Sequence, residues 1–151
     1  HKTIAIAADH GGFAMKEALR PHLVELGFGV LDCGPDSDAA VDYPDFAFAA
    51  ASLVADGSCG AGICIDGAGI GSCMAANKVP GVRAAHCYDV STAINAREHN
   101  YANFLTLGSG LTGLNLAKQI VKTFLRTPYG AARHGRRVDK IRGIQQRFSK
   151  G

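Results

Sequence analysis

Gly60-Ala61-Gly62-Ile63-Cys64-Ile65-Asp66-Gly67-Ala68-Gly69-Ile70-Gly71-Ser72-Cys73-Met74-Ala75-Ala76-Asn77 runs from an apolar stretch through a glycine-spaced turn into a short alanine-containing segment. The first part reads as a buried strand over 60–65 and the last as a helix ending at 77, so the turn joins a strand to a helix. Glycines at 67, 69 and 71 let the backbone approach a small ligand closely, and the helix that follows directs unpaired N–H groups toward negative charge. Asp66 stands at the mouth of that anion trap. Its charge would repel a bound phosphate, so it suits a C–H bond that must lose a proton.

The same alternation extends both ways from the turn. Apolar runs at 3–8, 28–33, 82–87 and 103–107 read as strands. Segments 12–26, 45–55, 90–98 and 112–125 read as helices, with a proline before the second and Asp89 as a cap for the third. Five strand-helix units predict a parallel sheet covered on both faces, whose ligands gather outside the carboxyl ends of the strands. After Pro128-Tyr129-Gly130, a basic amphipathic arm over 131–149 is too charged to be buried alone.

At 151 residues, 47% of them hydrophobic, the chain suits one domain over 1–151 with a single core. The net charge of +3 is concentrated near the end, at Arg133, Arg136, Arg137, Lys140, Arg142 and Arg147, which implies local anion binding and excludes a nucleic-acid protein. Five cysteines without paired spacing read as reduced core thiols, and no metal-ligand pattern appears, so no metal is expected. There is no apolar stretch long enough for a membrane span and no basic-then-apolar opening of the secretory kind. The expected location is cytoplasmic.

Several polar clusters each allow two readings. Asp9-His10-Gly11-Gly12 ends the first strand, either as a ligand-holding turn or as a simple aspartate cap. Asp66 is either a general base or the cap of the following helix; a carboxylate is ionised at neutral pH and needs no activation to accept a proton. His99, after Arg97-Glu98, is either an acid-base group or a solvated histidine at a helix end. Arg133, Arg136 and Arg137 are either a solvated face or an anion clamp, and guanidinium forks suit phosphate. A dinucleotide site is the weaker reading of the glycine turn. Gly67-Ala68-Gly69-Ile70-Gly71-Ser72 lacks the third glycine of that fingerprint and follows the third strand, although Asp89 lies about 20 residues on.

In order along the chain, Ala8-Asp9-His10-Gly11-Gly12, Asp42-Tyr43-Pro44, Gly67 through Gly71 leading to Ala75-Ala76-Asn77-Lys78-Val79-Pro80-Gly81-Val82-Arg83, Arg97-Glu98-His99-Asn100 and Arg133-His134-Gly135-Arg136-Arg137-Val138-Asp139 form one series. By that series the chain resembles the family of ribose-5-phosphate isomerase B and galactose-6-phosphate isomerase subunits over essentially its full length. The resemblance implies a three-layer Rossmann-like sandwich with a five-stranded parallel sheet. It also implies a homodimer or tetramer in which the C-terminal arm reaches the neighbouring subunit, so that sites are shared. Such enzymes interconvert aldose and ketose phosphates without a cofactor, by proton transfer through an enediolate.

The resemblance implies a role for each matching residue. The turn, with Gly67, Gly69, Ile70 and Gly71, would stabilise the enediolate, His99 would help open the sugar ring, and Asp9, Tyr43 and Asn100 would line the site. His10, with Arg133 and Arg137 from the partner, would hold phosphate. Three positions depart from the pattern: Asp66 stands where the ribose-phosphate enzymes carry a cysteine base, Ala68 where they carry threonine, and Gly110 where an arginine commonly grips phosphate. Other members use a glutamate later in the turn, where this chain has Ser72. Asp66 is thus the expected base. Two alternatives stand beside it: a non-catalytic or half-catalytic subunit resembling the galactose-6-phosphate isomerase A subunit, and a sugar-phosphate sensor.

Overall fold

The computed structural model describes residues 2–149, with the elements β1 (Thr3–Ala8), α1 (Phe13–Glu25), β2 (Gly29–Asp32), α2 (Tyr43–Ala55), β3 (Ala61–Asp66), α3 (Gly71–Ala76), β4 (Ala84–His86), α4 (Val90–Glu98), β5 (Phe104–Gly108), α5 (Leu114–Arg126) and α6 (Ala132–Phe148). The strands form one parallel sheet in the order β2-β1-β3-β5-β4. Successive strand residues alternate between two cores. Ile4, Ile6, Ile63 and Ile65 pack against α1, α4 and α5, while Ala5, Ala7, Cys64 and Phe104 pack against α2 and α3. This is the expected three-layer α/β architecture. It explains why β3 is buried on both faces and reads as an uninterrupted apolar run.

The helices bury the stripes their spacing predicts. In α5, Ala117, Ile120, Val121 and Phe124 recur at three- and four-residue intervals and are fully buried, each of the larger three contributing about 1.5–3 kcal/mol. Helix α1 stops because Gly27, at φ +97°, lets its own N–H reach the Val24 carbonyl and the Phe28 N–H reach that of Leu23. Asp89 caps α4 as expected: its carboxylate accepts from the Thr92 N–H at 2.7 Å, and the Thr92 hydroxyl reaches back to the Asp89 N–H.

Three expected boundaries are corrected, one of them the start of α5, which is Leu114 rather than 112. Helix α2 starts at Tyr43 rather than 45, because a proline in the first turn replaces an N–H that has no intrahelical partner. Strand β4 covers only Ala84–His86 rather than 82–87. The Arg83 N–H goes to the Asn103 side chain, and Val82 is drawn into a turn with Val79. Among the described residues no helix is long and apolar enough to cross a membrane.

The order of the strands locates the site. The chain leaves β1 to one side for β2 and returns past β1 to β3, so the carboxyl ends of β1 and β3 flank a topological switch point, where a crevice opens. Ala8 pairs with Ile65, and the next residues on the two strands are Asp9 and Asp66.

Candidate active site

Asp66 is the last residue of β3 and is only 5% exposed. Its side chain turns toward the α2 and α3 layer, as the alternation requires, and meets Ser72. The Ser72 hydroxyl donates to Oδ1 at 2.8 Å and the Ser72 N–H donates to Oδ2 at 3.1 Å. The capping position of α3 itself belongs to Ile70, which makes no side-chain cap bond. Asp66 therefore braces the start of the helix from outside it, between the two roles its sequence context allows.

The turn wraps tightly around its surroundings. Gly69 adopts φ +76°, its carbonyl accepts a 2.6 Å hydrogen bond from the buried Thr106 hydroxyl, and an added Cβ would lie 2.3 Å from His86 Nδ1. Gly71 lies against the Tyr43 ring, where a Cβ would come within 2.4 Å. Among the described residues, no hydrogen bond uses the N–H groups of Gly67, Ala68, Gly69, Ile70 or Gly71. A run of free N–H groups beside a buried carboxylate is an arrangement that can receive developing negative charge. Helix α3 spans only six residues, so these local N–H groups rather than a long helix dipole supply that field.

The neighbouring loops close around the same crevice. Asp9 is buried, and its Oδ1 accepts from the N–H of Gly12, the capping residue of α1, at 2.9 Å, so it braces the turn that leads into that helix. His10 is exposed, with Nδ1 3.2 Å from both the N–H and the carbonyl of Val41. The Ser109 hydroxyl lies 2.8 Å from the Gly11 carbonyl and 3.3 Å from that of Asp66, tying the loops after β1, β3 and β5 together. Gly110 donates its N–H to the Gly67 carbonyl at 2.9 Å.

His99, Asn100, Arg133 and Arg137 lie elsewhere. Helix α4 runs back from the carboxyl end of β4 to the amino end of β5, placing His99 and Asn100 at the opposite edge of the sheet. The levels of Phe104 and Gly108 alone are about 13 Å apart along the strand. There His99 stacks on His134 with ring centroids 4.2 Å apart and planes 12° from parallel, while Asn95 Nδ2 lies 3.2 Å from its Nδ1 and Glu98 Oε1 3.3 Å from its Nε2. Asn100 donates to Asn95 Oδ1 at 2.9 Å. His134 is buried, and burial, followed by His99, Arg133 and Arg137, pushes its imidazole below the ordinary histidine value against the pull of Glu98. Arg133 and Arg137 are one helical turn apart and exposed, without an acidic partner among the described residues.

No thiol in the chain is set up as a base. Burial pushes Cys33 up to about 11 and Cys87 up to about 12, and it raises Cys59 and Cys73 as well. Cys64 is raised first by burial and then by the charges of Asp66 and Asp9. The dinucleotide reading also fails on geometry: Asp89, the acid it requires, is committed to capping α4. Among the described residues no group of three or more His, Cys, Asp or Glu side chains could hold a metal ion.

Sequence reasoning did not single out Thr106, His86, Ser109 or His134 as parts of these two clusters, nor the bonds of Ser72. Thr106 alone left a signal, as one polar residue inside an otherwise apolar strand.

The sequence model of the family described as Ribose/Galactose Isomerase matches residues 4–141. The chain belongs to the ribose/galactose isomerase family. Ribose-5-phosphate isomerase B of Escherichia coli is 44% identical over 146 residues, covering 97% of this chain and 98% of that protein. Among solved members of this isomerase family, ribose-5-phosphate isomerase B of Clostridium thermocellum superposes with a TM-score of 0.95 at 44% identity, covering 97% and 99% of the two chains. The Mycoplasma genitalium enzyme, solved with bound ribulose-5-phosphate, gives a TM-score of 0.92 at 43% identity, with the same coverage. The family's fold is thus present in full.

Proposed function

We propose that this chain is a cofactor-independent aldose-ketose isomerase acting on ribose 5-phosphate or a related sugar phosphate, with Asp66 as the base. The observation that carries the reading is the buried Asp66 carboxylate beside the run of free N–H groups from Gly67 to Gly71. Asp66 takes the proton from the carbon beside the carbonyl. The resulting enediolate oxygen is met by the turn's N–H groups, the hydroxyl proton passes from the oxygen on C2 to that on C1, and the carbon-bound proton returns to the neighbouring carbon. The raised thiols leave no cysteine to do this work. Bound ribulose-5-phosphate in the Mycoplasma genitalium relative supports a pentose phosphate as substrate.

The active unit is a homo-oligomer with shared sites, because one chain carries the two halves of the site at opposite edges of its sheet. A second copy supplies His99 to open the sugar ring, with Asn100 beside it, and Arg133 and Arg137 to hold phosphate beside His10, while Tyr43 of this chain lines the crevice. Two features support this. Among the described residues the arginines lack acidic partners, and α6 exposes Ile141, Ile144 and Phe148 along a hollow of about 900 Å³ that also includes Pro80 and Val82. A second copy would cover that apolar face.

A second reading rests on the two bonds from Ser72, which already engage both oxygens of Asp66. In that reading Asp66 is structural, and the chain lends His99 and its arginines to a paralogue that carries the cysteine. The test is turnover by the purified chain alone on ribose 5-phosphate and a panel of other pentose and hexose phosphates. Product from the chain alone supports the first reading, whereas product only after a cysteine-bearing paralogue is added supports the second.

A further inference from the structure

Two polar side chains at the turn are fully buried and used by no step of the proton transfer: Thr106, which is spent on the Gly69 carbonyl, and Ser72. Ser72 has no exposed surface, yet its hydroxyl and its N–H both point at one carboxylate, reaching Oδ1 at 2.8 Å and Oδ2 at 3.1 Å. The terminal torsion of an aspartate is broad, so a carboxylate held at one oxygen swings freely about it. Bonds to both oxygens from one rigid residue fix its plane.

The hydroxyl also has a defined direction. The Ser72 hydroxyl is the donor to Oδ1, and a carboxylate oxygen accepts, so the serine proton is committed to Asp66. Each carboxylate oxygen accepts more than one hydrogen bond, so the hold leaves lone pairs for a substrate proton.

We infer that Ser72 is a positioning residue of this isomerase, fixing the plane of the Asp66 carboxylate so that its remaining lone pair meets the substrate C–H bond. This rests on the reading of Asp66 as the base. Proton abstraction demands placement within about 0.5 Å and 10–20°, which a freely swinging carboxylate does not keep.

The test measures kcat and KM for Ser72→Ala, Ser72→Thr and Asp66→Asn on the sugar phosphate the native chain turns over best, with urea unfolding to establish that each variant is folded. The expected result for Ser72→Ala is a fall in kcat of about 10- to 100-fold with KM within about threefold, because binding contacts remain while aim is lost. Ser72→Thr, which restores the hydroxyl, recovers most of that kcat. If the alanine variant fails to fold, Ser72→Cys, which keeps the volume but donates weakly, carries the same comparison. Full kcat in Ser72→Ala beside an inactive Asp66→Asn overturns the positioning role and leaves the base in place. Equal losses in the alanine and threonine variants overturn it too, since the hydroxyl is then not what matters. Full kcat in Asp66→Asn, or no turnover by the native chain, removes the base and the inference with it.

Discussion

Gly69→Ala tests whether the turn performs chemistry or only packs. At φ +76° an alanine costs about 1–2 kcal/mol in backbone strain. The new Cβ also lies 2.3 Å from His86 Nδ1 and 2.9 Å from the Leu107 carbonyl carbon. The imidazole can swing aside, but Leu107 is backbone in an interior strand, so the turn itself must retreat by about 0.5 Å to reach the ordinary 3.4 Å contact. Removing one oxyanion donor outright costs about 10²–10³ in kcat, and displacing a row of them by half an ångström costs about 10- to 100-fold. Gly27→Ala is the matched control. It has φ +97° and nothing within 4 Å of its Cβ, at the far end of α1, so it carries the backbone cost without the displacement. The assay is kcat on the preferred sugar phosphate beside urea unfolding of both variants. Both lose stability, Gly69→Ala by about 2–4 kcal/mol and Gly27→Ala by about 1 kcal/mol, but only Gly69→Ala loses kcat. A Gly69→Ala enzyme with native kcat would refute the oxyanion role of the turn.

Three other outcomes are expected. Lys16 is fully buried and holds both Asp32 oxygens at 2.9 and 3.0 Å. Lys16→Met should cost about 2–4 kcal/mol in urea unfolding, less than a fully buried pair, because Asp32 keeps 26% of its side-chain surface in water and Arg20 stays 3.4 Å away. Burial raises the Asp32 carboxyl, but the bonds from Lys16 and the Gly34 N–H outweigh it and hold it below the ordinary value. Its stabilisation is therefore full above about pH 4 and is lost as pH falls toward the folded value, an acid loss that Lys16→Met reduces. Gly110→Arg should lower KM for phosphorylated sugars by about 10- to 100-fold and leave free sugars unchanged; its Cβ must push the Gly67 carbonyl from 3.1 Å by only a few tenths of an ångström. Equal mixing of Asp66→Asn and His99→Asn chains, each inactive alone, should restore about a quarter of native activity after refolding together, because one site in each mixed dimer is intact. No restoration would mean that each chain's site is self-contained.

The strand-helix alternation was legible because a parallel sheet buried on both faces writes itself as apolar runs, of which β3 is the clearest. The edge strand was less so. β4 shortens because the Arg83 N–H goes to the Asn103 side chain, remote by twenty residues, and the Val82 N–H to the Val79 carbonyl, and nothing in the local pattern of 82–87 shows it. At the site, the glycines and Asp66 stood out by type and spacing, while the two-bond hold of Ser72 and the support of Thr106 and His86 come from elements that meet only when folded. The separation of His99 from Asp66 follows from topology rather than composition: helix α4 must run back along the sheet, so residues at its end face the opposite edge from residues at the end of a strand.

The most direct measurement is exchange of the substrate C2 hydrogen with deuterated solvent, followed by NMR alongside turnover, for the native chain and for Asp66→Asn. The account predicts exchange and ketose formation by the native chain alone, and a loss of both by about 10²–10⁴-fold in the asparagine variant with the fold intact. Exchange at the native rate in Asp66→Asn would contradict it.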